Sequence, residues 1–214
     1  CSVSLSALKE NLDASLDIYA DVILNPVFPE NELDRLKKQR LASIRQEETR
    51  PITMALRVLP ALLYGKRHAY SNPLTGSGTV ESTESMTRDN LVRFHSSWLR
   101  PQGATMVVVG DITIDELIPR LEDLLSGWKQ TAKPLRKNIS EVLLPTESRV
   151  YLVDKPGAIQ SLIIAGHLAP PTNNPDEITI ETMNSILGGT FTSRINMNLR
   201  EDKHWSYGAR SLFW

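Results

Sequence analysis

Residues 104–117 read ATMVVVGDITIDEL, and this stretch joins a strand-like pattern to a helix-like one. The nearly continuous apolar run at 104–109, which ends at Gly110, is typical of a buried strand. Thr113 and Glu116 have the spacing of a capping box, which predicts the N-terminus of a helix. Because helices and strands mix along the rest of the chain without strict alternation, the pattern predicts an α+β fold.

The segments on either side of this stretch are mostly helical in pattern. Apolar residues at three- and four-residue spacing predict helices, and short apolar runs predict strands. The helices are expected at 5–24, 29–48, 52–63, from Thr87 onward, behind Thr113, at 174–187 and at 192–203, and the further strands at 148–154, 160–168 and 206–213. Polar, aperiodic residues at 131–147 predict a linker between one domain at 1–130 and part of another at 148–214.

Charge and composition exclude several functional classes. Lys and Arg number 24 against 25 Asp and Glu, a balance that argues against a nucleic-acid-binding protein. No apolar run approaches the roughly 18 residues that a membrane-spanning helix needs. The single cysteine, Cys1, excludes an internal disulfide. The four histidines, at 68, 95, 167 and 204, are scattered, and neither HExxH nor HxxEH occurs, so the residues alone name no reaction.

Several short motifs, in one consistent order, resemble the M16 metallopeptidases, the group of pitrilysin, insulin-degrading enzyme and mitochondrial processing peptidase. The motifs are NPVFP at 25–29, ELDR at 32–35, LYGKRHAY at 63–70, FH at 94–95, VVVGD at 107–111, NSILGG at 184–189, SR at 193–194 and LRE at 199–201. The resemblance implies repeated α+β domains, each with an antiparallel-rich sheet packed with helices. It also implies that this chain begins after the HxxEH helix and ends inside a second similar domain.

The resemblance also implies a test for zinc. In the catalytic half of such enzymes, HxxEH and a later glutamate bind zinc, which activates a water for peptide hydrolysis. Aligned on Glu32 and Arg35, the position of that glutamate is Ser43 here, and a neutral hydroxyl is a poor zinc ligand. A slipped alignment would offer Glu47 or Glu48, about one helical turn late. We therefore expect no zinc in this chain, and zinc in a catalytic partner half.

A second family feature is intact. Arg200 and Tyr207 lie seven residues apart. In two-half M16 enzymes an Arg and a Tyr at this spacing come from the zinc-less half and reach the partner's zinc site. The resemblance thus implies that Tyr207 donates to the developing oxyanion and that Arg200 holds a substrate carbonyl or carboxylate. On residue type alone, Arg200 would be a solvated charge at a helix C-terminus and Tyr207 a half-buried strand aromatic.

Three functional hypotheses follow. In the first, the chain is the non-catalytic half of an M16 peptidase, inactive by itself, whose partners are a catalytic half and peptide substrates. In the second, it is a scaffolding relative without any peptidase role, and in the third, a free-standing peptide-binding module. The intact Arg200 and Tyr207 favour the first. The sequence leaves open the substrate, the compartment (periplasmic or cytoplasmic in a bacterium) and whether the catalytic half belongs to the same polypeptide.

Overall fold

The computed structural model describes residues 1–129, 137–143 and 147–214. The described residues divide into two compact units. One contains Cys1–Val142 and Val150–Ile163, and the other contains Leu143–Arg149 and Ile164–Trp214. Part of the linker predicted at 131–147 falls at 131–136 and 144–146, outside the described residues. The predicted domain boundaries therefore stay a prediction.

The first unit is built from six α-helices. They are α1 (Leu12–Leu24), α2 (Glu30–Glu47), α3 (Pro51–Tyr64), α4 (Val80–Glu84), α5 (Arg88–Trp98) and α6 (Ile114–Leu124), with short 3-10 turns at Lys9–Asn11 and Ala69–Ser71. α1 contacts α6, and α2 contacts α4. The buried apolar side chains come from α1 and α2, where the periodic pattern placed them; they are Leu16, Ala20, Ile23 and Ile44.

Two of the predicted helix starts, at Thr87 and Thr113, are confirmed. Thr113 accepts from the backbone N–H of Glu116, and the Glu116 carboxylate accepts from the N–H of Thr113, so the predicted capping box begins α6. Thr87 forms the same reciprocal pair with Asn90 at the start of α5. Pro60 lies buried inside a continuous α3.

The second unit contains two short α-helices, each continued by π-helical backbone. They are α7 (Glu177–Asn184), followed by a π turn at Ser185–Gly189, and α8 (Arg194–Asn196), followed by a π-helix at Met197–Asp202. α8 contacts both π-helical segments. π-helical backbone is rare and occurs frequently at functional sites. Both π-helical segments lie within 185–202, the stretch that also carries Arg200.

The prediction of an α+β fold with an antiparallel-rich sheet is wrong for the described residues. They are helical, and none of the segments predicted as strands forms a ladder of backbone hydrogen bonds there. The run at 104–109 is not buried either, since Val107 is 82% and Val109 94% exposed. A β-branched apolar run favours an extended backbone locally, but a strand also needs a partner to pair with, and pairing is not encoded within the run itself.

A partly buried ion pair joins α2, α3 and the loop that precedes α4. Arg57 Nη1 donates to Glu47 Oε2 at 2.7 Å, and these two side chains are only 11% and 18% exposed. Ser77 and Thr75 donate to the same carboxylate oxygen, at 2.7 and 3.0 Å, and Arg57 Nη2 donates to the carbonyl of Gly78. Burial alone raises the pKa of Glu47, but the hydrogen bonds from Ser77, Arg57 and Thr75 and the charge of Arg57 outweigh it. The pKa of Glu47 therefore lies below its ordinary value.

We predict that Glu47→Gln flattens the acid limb of the stability curve. A carboxylate whose folded pKa is lowered adds to the unfolding free energy above its unfolded pKa of about 4.5, and loses that contribution as pH falls through the folded pKa. The variant should be less stable at pH 7 by about 1–3 kcal/mol, because Arg57 loses its charged partner. It should also lose less stability between pH 5 and pH 3 in urea titrations. The exposed neighbour variant Glu48→Gln is the control, and equal acid limbs for Glu47→Gln and wild type would contradict the prediction.

Candidate functional site

Arg200 lies in the π-helix Met197–Asp202, and an aromatic ring supports its side chain. The guanidinium carbon is 4.7 Å from the centroid of the Phe191 ring. Its Nε lies 3.3 Å from Glu201 Oε1. A guanidinium over a ring face is attracted by the ring quadrupole, which limits the directions that the side chain takes. Arg200 is thus a partly exposed cation held from one side.

The chain turns at 203–205, directly after the π-helix that carries Arg200. His204 adopts a left-handed backbone, with φ of 53°, and its Nδ1–H donates to the carbonyl of Arg200 at 3.1 Å. The N–H of Trp205 donates to the carbonyl of Leu199 at 2.9 Å. Both bonds use carbonyls at the end of the helix that would otherwise lack partners. These two bonds therefore attach the residues just before Tyr207 to the carbonyls of Leu199 and Arg200.

Tyr207 lies at a bend in a segment without helix or strand, and the residue is 87% exposed. No hydrogen bond of its hydroxyl occurs within the described part of the chain. The strand predicted at 206–213 is not formed there, so Tyr207 is not the half-buried strand aromatic that its residue type suggests. The ring and hydroxyl of a tyrosine this exposed are accessible to a partner molecule.

The backbone beyond Tyr207 is held by two buried asparagines. Asn196 Oδ1 accepts from the N–H of Ala209 at 3.0 Å, and Ser211 Oγ donates to Asn184 Oδ1 at 2.6 Å. The N–H of Ser211 also donates to the carbonyl of Gly188 at 3.0 Å. A Cβ at Gly188 would lie 2.3 Å from Ser211 Oγ, so only glycine permits this close approach. The segment is therefore fixed at 209–211, while Tyr207 projects just before it.

The residues at the expected position of the third zinc ligand make other contacts within the protein. Ser43 Oγ donates to the carbonyl of Gln39 within its own helix, at 3.1 Å. Glu47, the alternative after a slipped alignment, is engaged by Arg57, Ser77 and Thr75 as described above, and Glu48 is an exposed residue at the end of α2. Across the residues that the structure describes, no group of three or more His, Cys, Asp or Glu could hold a metal ion. The side chains present do not fit a zinc site.

Each of the four histidines makes a hydrogen bond to a backbone carbonyl. His95 Nε2 donates to the carbonyl of Ile23 at 2.7 Å, and its ring meets the edge of Phe28. His68 stacks on Tyr64 and donates to the carbonyl of Ser140. His167 bonds the carbonyl of the next residue, and His204 closes the turn after Arg200. The motifs NPVFP and FH thus meet in space through Phe28 and His95, as structural contacts.

Comparison with known families identifies the group. The model of the M16 peptidase inactive domain matches residues 85–213, which include Arg200, Tyr207 and the asparagines that brace them. The chain belongs to the M16 peptidase family. Its matched region corresponds to the inactive domain of that family, in agreement with the resemblance of the sequence motifs.

The similar M16 proteins include chains named as proteases and as non-peptidases. This chain is 26% identical over 204 residues to an uncharacterized zinc protease YmxG of Bacillus subtilis, covering 95% of this chain and 48% of that one. It is 24% identical over 217 residues to a non-peptidase homolog YmxG of Helicobacter pylori, covering 97% and 46%. The crystal structure of a protease from Helicobacter pylori superposes with a TM-score of 0.67 at 20% identity, over 96% of this chain and 49% of that one. The chain spans about half the length of the curated relatives it matches.

We predict that this M16 chain, purified without chelators, carries far less than one zinc per chain. The reason is that Ser43 presents a neutral, helix-bonded hydroxyl where a carboxylate ligand would stand, and Glu47 is already neutralised by Arg57. Metal analysis by mass spectrometry measures the content directly. A Ser43→Ala variant serves as the control, and it should match wild type. About one zinc per purified chain would contradict the prediction, and loss of that zinc in Ser43→Ala would assign it to Ser43.

Sequence reasoning located Arg200 and Tyr207 but missed the residues around them. Phe191, Asn184 and Asn196 were not singled out, although each contacts the site through a ring or an amide. Asn196 lies three residues after Ser193 in a helical pattern, where a polar residue is ordinarily solvent-facing. Asn184 and Gly188 lie in the motif NSILGG, whereas Phe191 and Asn196 lie outside the quoted motifs, so the sequence carried no signal for them.

Proposed function

We propose that this chain is the zinc-less half of an M16 peptidase and that it supplies Arg200 and Tyr207 to the active site of a catalytic half. The observation that supports the proposal is that hydrogen-bonded backbone on both sides of Tyr207 holds an exposed side chain. The turn at 203–205 and the braces at 209–211 fix the backbone around Tyr207, yet its hydroxyl projects into solvent. Fixed donors aimed at developing charge stabilise a transition state because they need no reorganisation during the reaction.

Each side chain has a distinct chemical role in this proposal. The Tyr207 hydroxyl donates a hydrogen bond to the oxygen that becomes negative as water adds to the peptide carbonyl. Arg200, held over the Phe191 ring, donates to a substrate carbonyl or carboxylate. No step of this role requires a metal bound to this chain, whose side chains do not fit one. The zinc implied by the family belongs, in this proposal, to the catalytic half.

An apolar groove on the second unit supports the need for a partner protein. It has a volume of about 540 Å³ and lies along α7 and the π turn, where Ile178, Met183, Ile186 and Leu187 are exposed and Arg194 stands among the lining residues. Contiguous exposed apolar surface of this kind marks interaction sites in soluble proteins. Among the described helices none is long and apolar enough to cross a membrane. A catalytic M16 half is the occupant that we propose for this surface.

The test is a mixing experiment with a quenched fluorescent peptide. The chain is assayed alone, an HxxEH-containing M16 chain from the same genome is assayed alone, and the two are assayed together over a range of ratios. We expect no hydrolysis by this chain alone and a large, saturable rise in hydrolysis when it is added to the catalytic chain. Full activity of the catalytic chain without this one would contradict the proposal. A rise that persists with Arg200 and Tyr207 both replaced would favour the scaffolding hypothesis.

A further inference from the structure

Asn196 is buried, at 4% exposure. Its side chain connects two stretches of backbone that are distant in the sequence. Its Nδ2 donates to the carbonyl of Phe191 at 2.7 Å. Its Oδ1 accepts from the N–H of Ala209 at 3.0 Å. A single amide therefore holds the segment before α8 with its donor end and the segment after the π-helix with its acceptor end.

The two residues whose backbone groups Asn196 binds are neighbours of Arg200 and Tyr207, the residues of the proposed function. Phe191 provides the ring beneath the Arg200 guanidinium, 4.7 Å away. Ala209 follows Tyr207 by two residues and is the first residue after it whose backbone is held by a buried side chain. A shift of either segment relative to Asn196 changes where the Arg or the Tyr points.

We propose that Asn196 is the positioning residue that sets Arg200 and Tyr207 relative to each other; this inference rests on the proposed function of the pair. The chemistry fits asparagine because its amide is both a donor and an acceptor at short reach. Aspartate keeps the acceptor and loses the donor, and leucine has a similar shape but neither function. Buried polar groups left without partners are costly, so the bridge is a fixed geometry and not an occasional contact.

The bridge is separable from the other braces of the same segment. Ser211 is held independently, by Asn184 through the side chain and by the carbonyl of Gly188 through the backbone. Those contacts do not involve Phe191. Loss of the Asn196 amide should therefore release Ala209 and Phe191 while the segment stays attached at Ser211, which makes the effect local.

The first arm of the test measures hydrogen exchange of backbone amides in the full chain by NMR. Asn196→Leu should speed exchange at Ala209 by on the order of tenfold or more, whereas Asn196→Asp, which keeps the acceptor, should leave Ala209 protected. Ser211 should remain protected in both variants. The exposed Asn198→Leu, two residues further on, is the matched control and should change neither amide. Unchanged exchange at Ala209 in folded Asn196→Leu would overturn the proposal.

The second arm measures steady-state kinetics in the assembled enzyme. Asn196→Asp frees only the Phe191 arm, so it should raise KM like Phe191→Leu, by on the order of tenfold, with little change in kcat. Asn196→Leu frees both arms and should lower kcat as well. Wild-type kinetics for both Asn196 variants, with Arg200→Ala and Tyr207→Phe impaired, would overturn the role of Asn196 alone. Wild-type kinetics for Arg200→Ala and Tyr207→Phe would overturn the proposed function and this inference together.

Discussion

Replacing Tyr207 by phenylalanine should lower kcat of the assembled M16 enzyme by about 10²–10³-fold, or ~3 kcal/mol, while KM changes little. A hydroxyl that donates to the developing oxyanion acts in the transition state and not in substrate binding, so its loss appears in kcat. Because the ring is 87% exposed and the hydroxyl has no partner within the described residues, the folded chain should lose no stability. The measurement is peptide hydrolysis at saturating concentrations of the chain.

Two controls distinguish this effect from general damage. Tyr151→Phe removes the hydroxyl of another exposed tyrosine, in the first unit, and should leave both constants at wild-type values. Thermal melting of Tyr207→Phe should match wild type. If the folded Phe variant keeps wild-type kcat, Tyr207 is an exposed aromatic without a catalytic role.

Replacing Arg200 by alanine should produce a different kinetic signature, in which KM rises and kcat falls. In the proposed role, the guanidinium donates to the bound substrate and donates more strongly to the charge that develops in the transition state, so its removal raises KM and lowers kcat. Hydrogen bonds to charged groups contribute about 1.5–3 kcal/mol, which predicts a loss of about 10- to 100-fold in kcat/KM. The measurement is the full substrate dependence of hydrolysis, since a single concentration would not separate the two constants.

The chain offers a matched control for the charge. Lys203 lies in the same turn, with its ammonium 4.9 Å from the centroid of the Trp205 ring. Lys203→Ala removes the same charge from the same turn and should leave kcat/KM near wild type. Equal losses for Lys203→Ala and Arg200→Ala would mean that the positive potential of the turn matters, and not a hydrogen bond from Arg200.

The helices could be predicted from the sequence because their signals are local. The reciprocal pair of Thr113 and Glu116 lies within one turn of helix, and the apolar spacing of α1 and α2 is visible in a short window. The strands could not, because a strand is completed by a partner that the run itself does not specify. The segment at 104–109 has the composition of a buried strand, yet Val109 is 94% exposed and unpaired in the described structure.

The candidate site divides in the same way. Arg200 and Tyr207 were predicted from a motif and its spacing, and the structure places Arg200 in a helical segment and Tyr207 beyond a closed turn. Their catalytic roles stay predictions. Asn196 could not be predicted as a buried residue, because its hydrogen-bond partners are backbone groups of Phe191 and Ala209. These groups reach it only in the folded chain. A sequence pattern records residue types along one element and not the backbone groups that a second element brings to it.

In the proposed function, this chain completes a partner's active site by stabilising charge on the reacting oxygen. The most direct test measures the affinity of the assembled enzyme for two ligands. One is an uncleaved substrate peptide, and the other is a phosphinic peptide of the same sequence that mimics the tetrahedral intermediate. Tyr207→Phe should weaken the phosphinic peptide by about 10²–10³-fold and leave the affinity for the substrate peptide near wild type, because the lost donor acts on the tetrahedral species. Equal affinities of wild type and Tyr207→Phe for the phosphinic peptide would contradict the account.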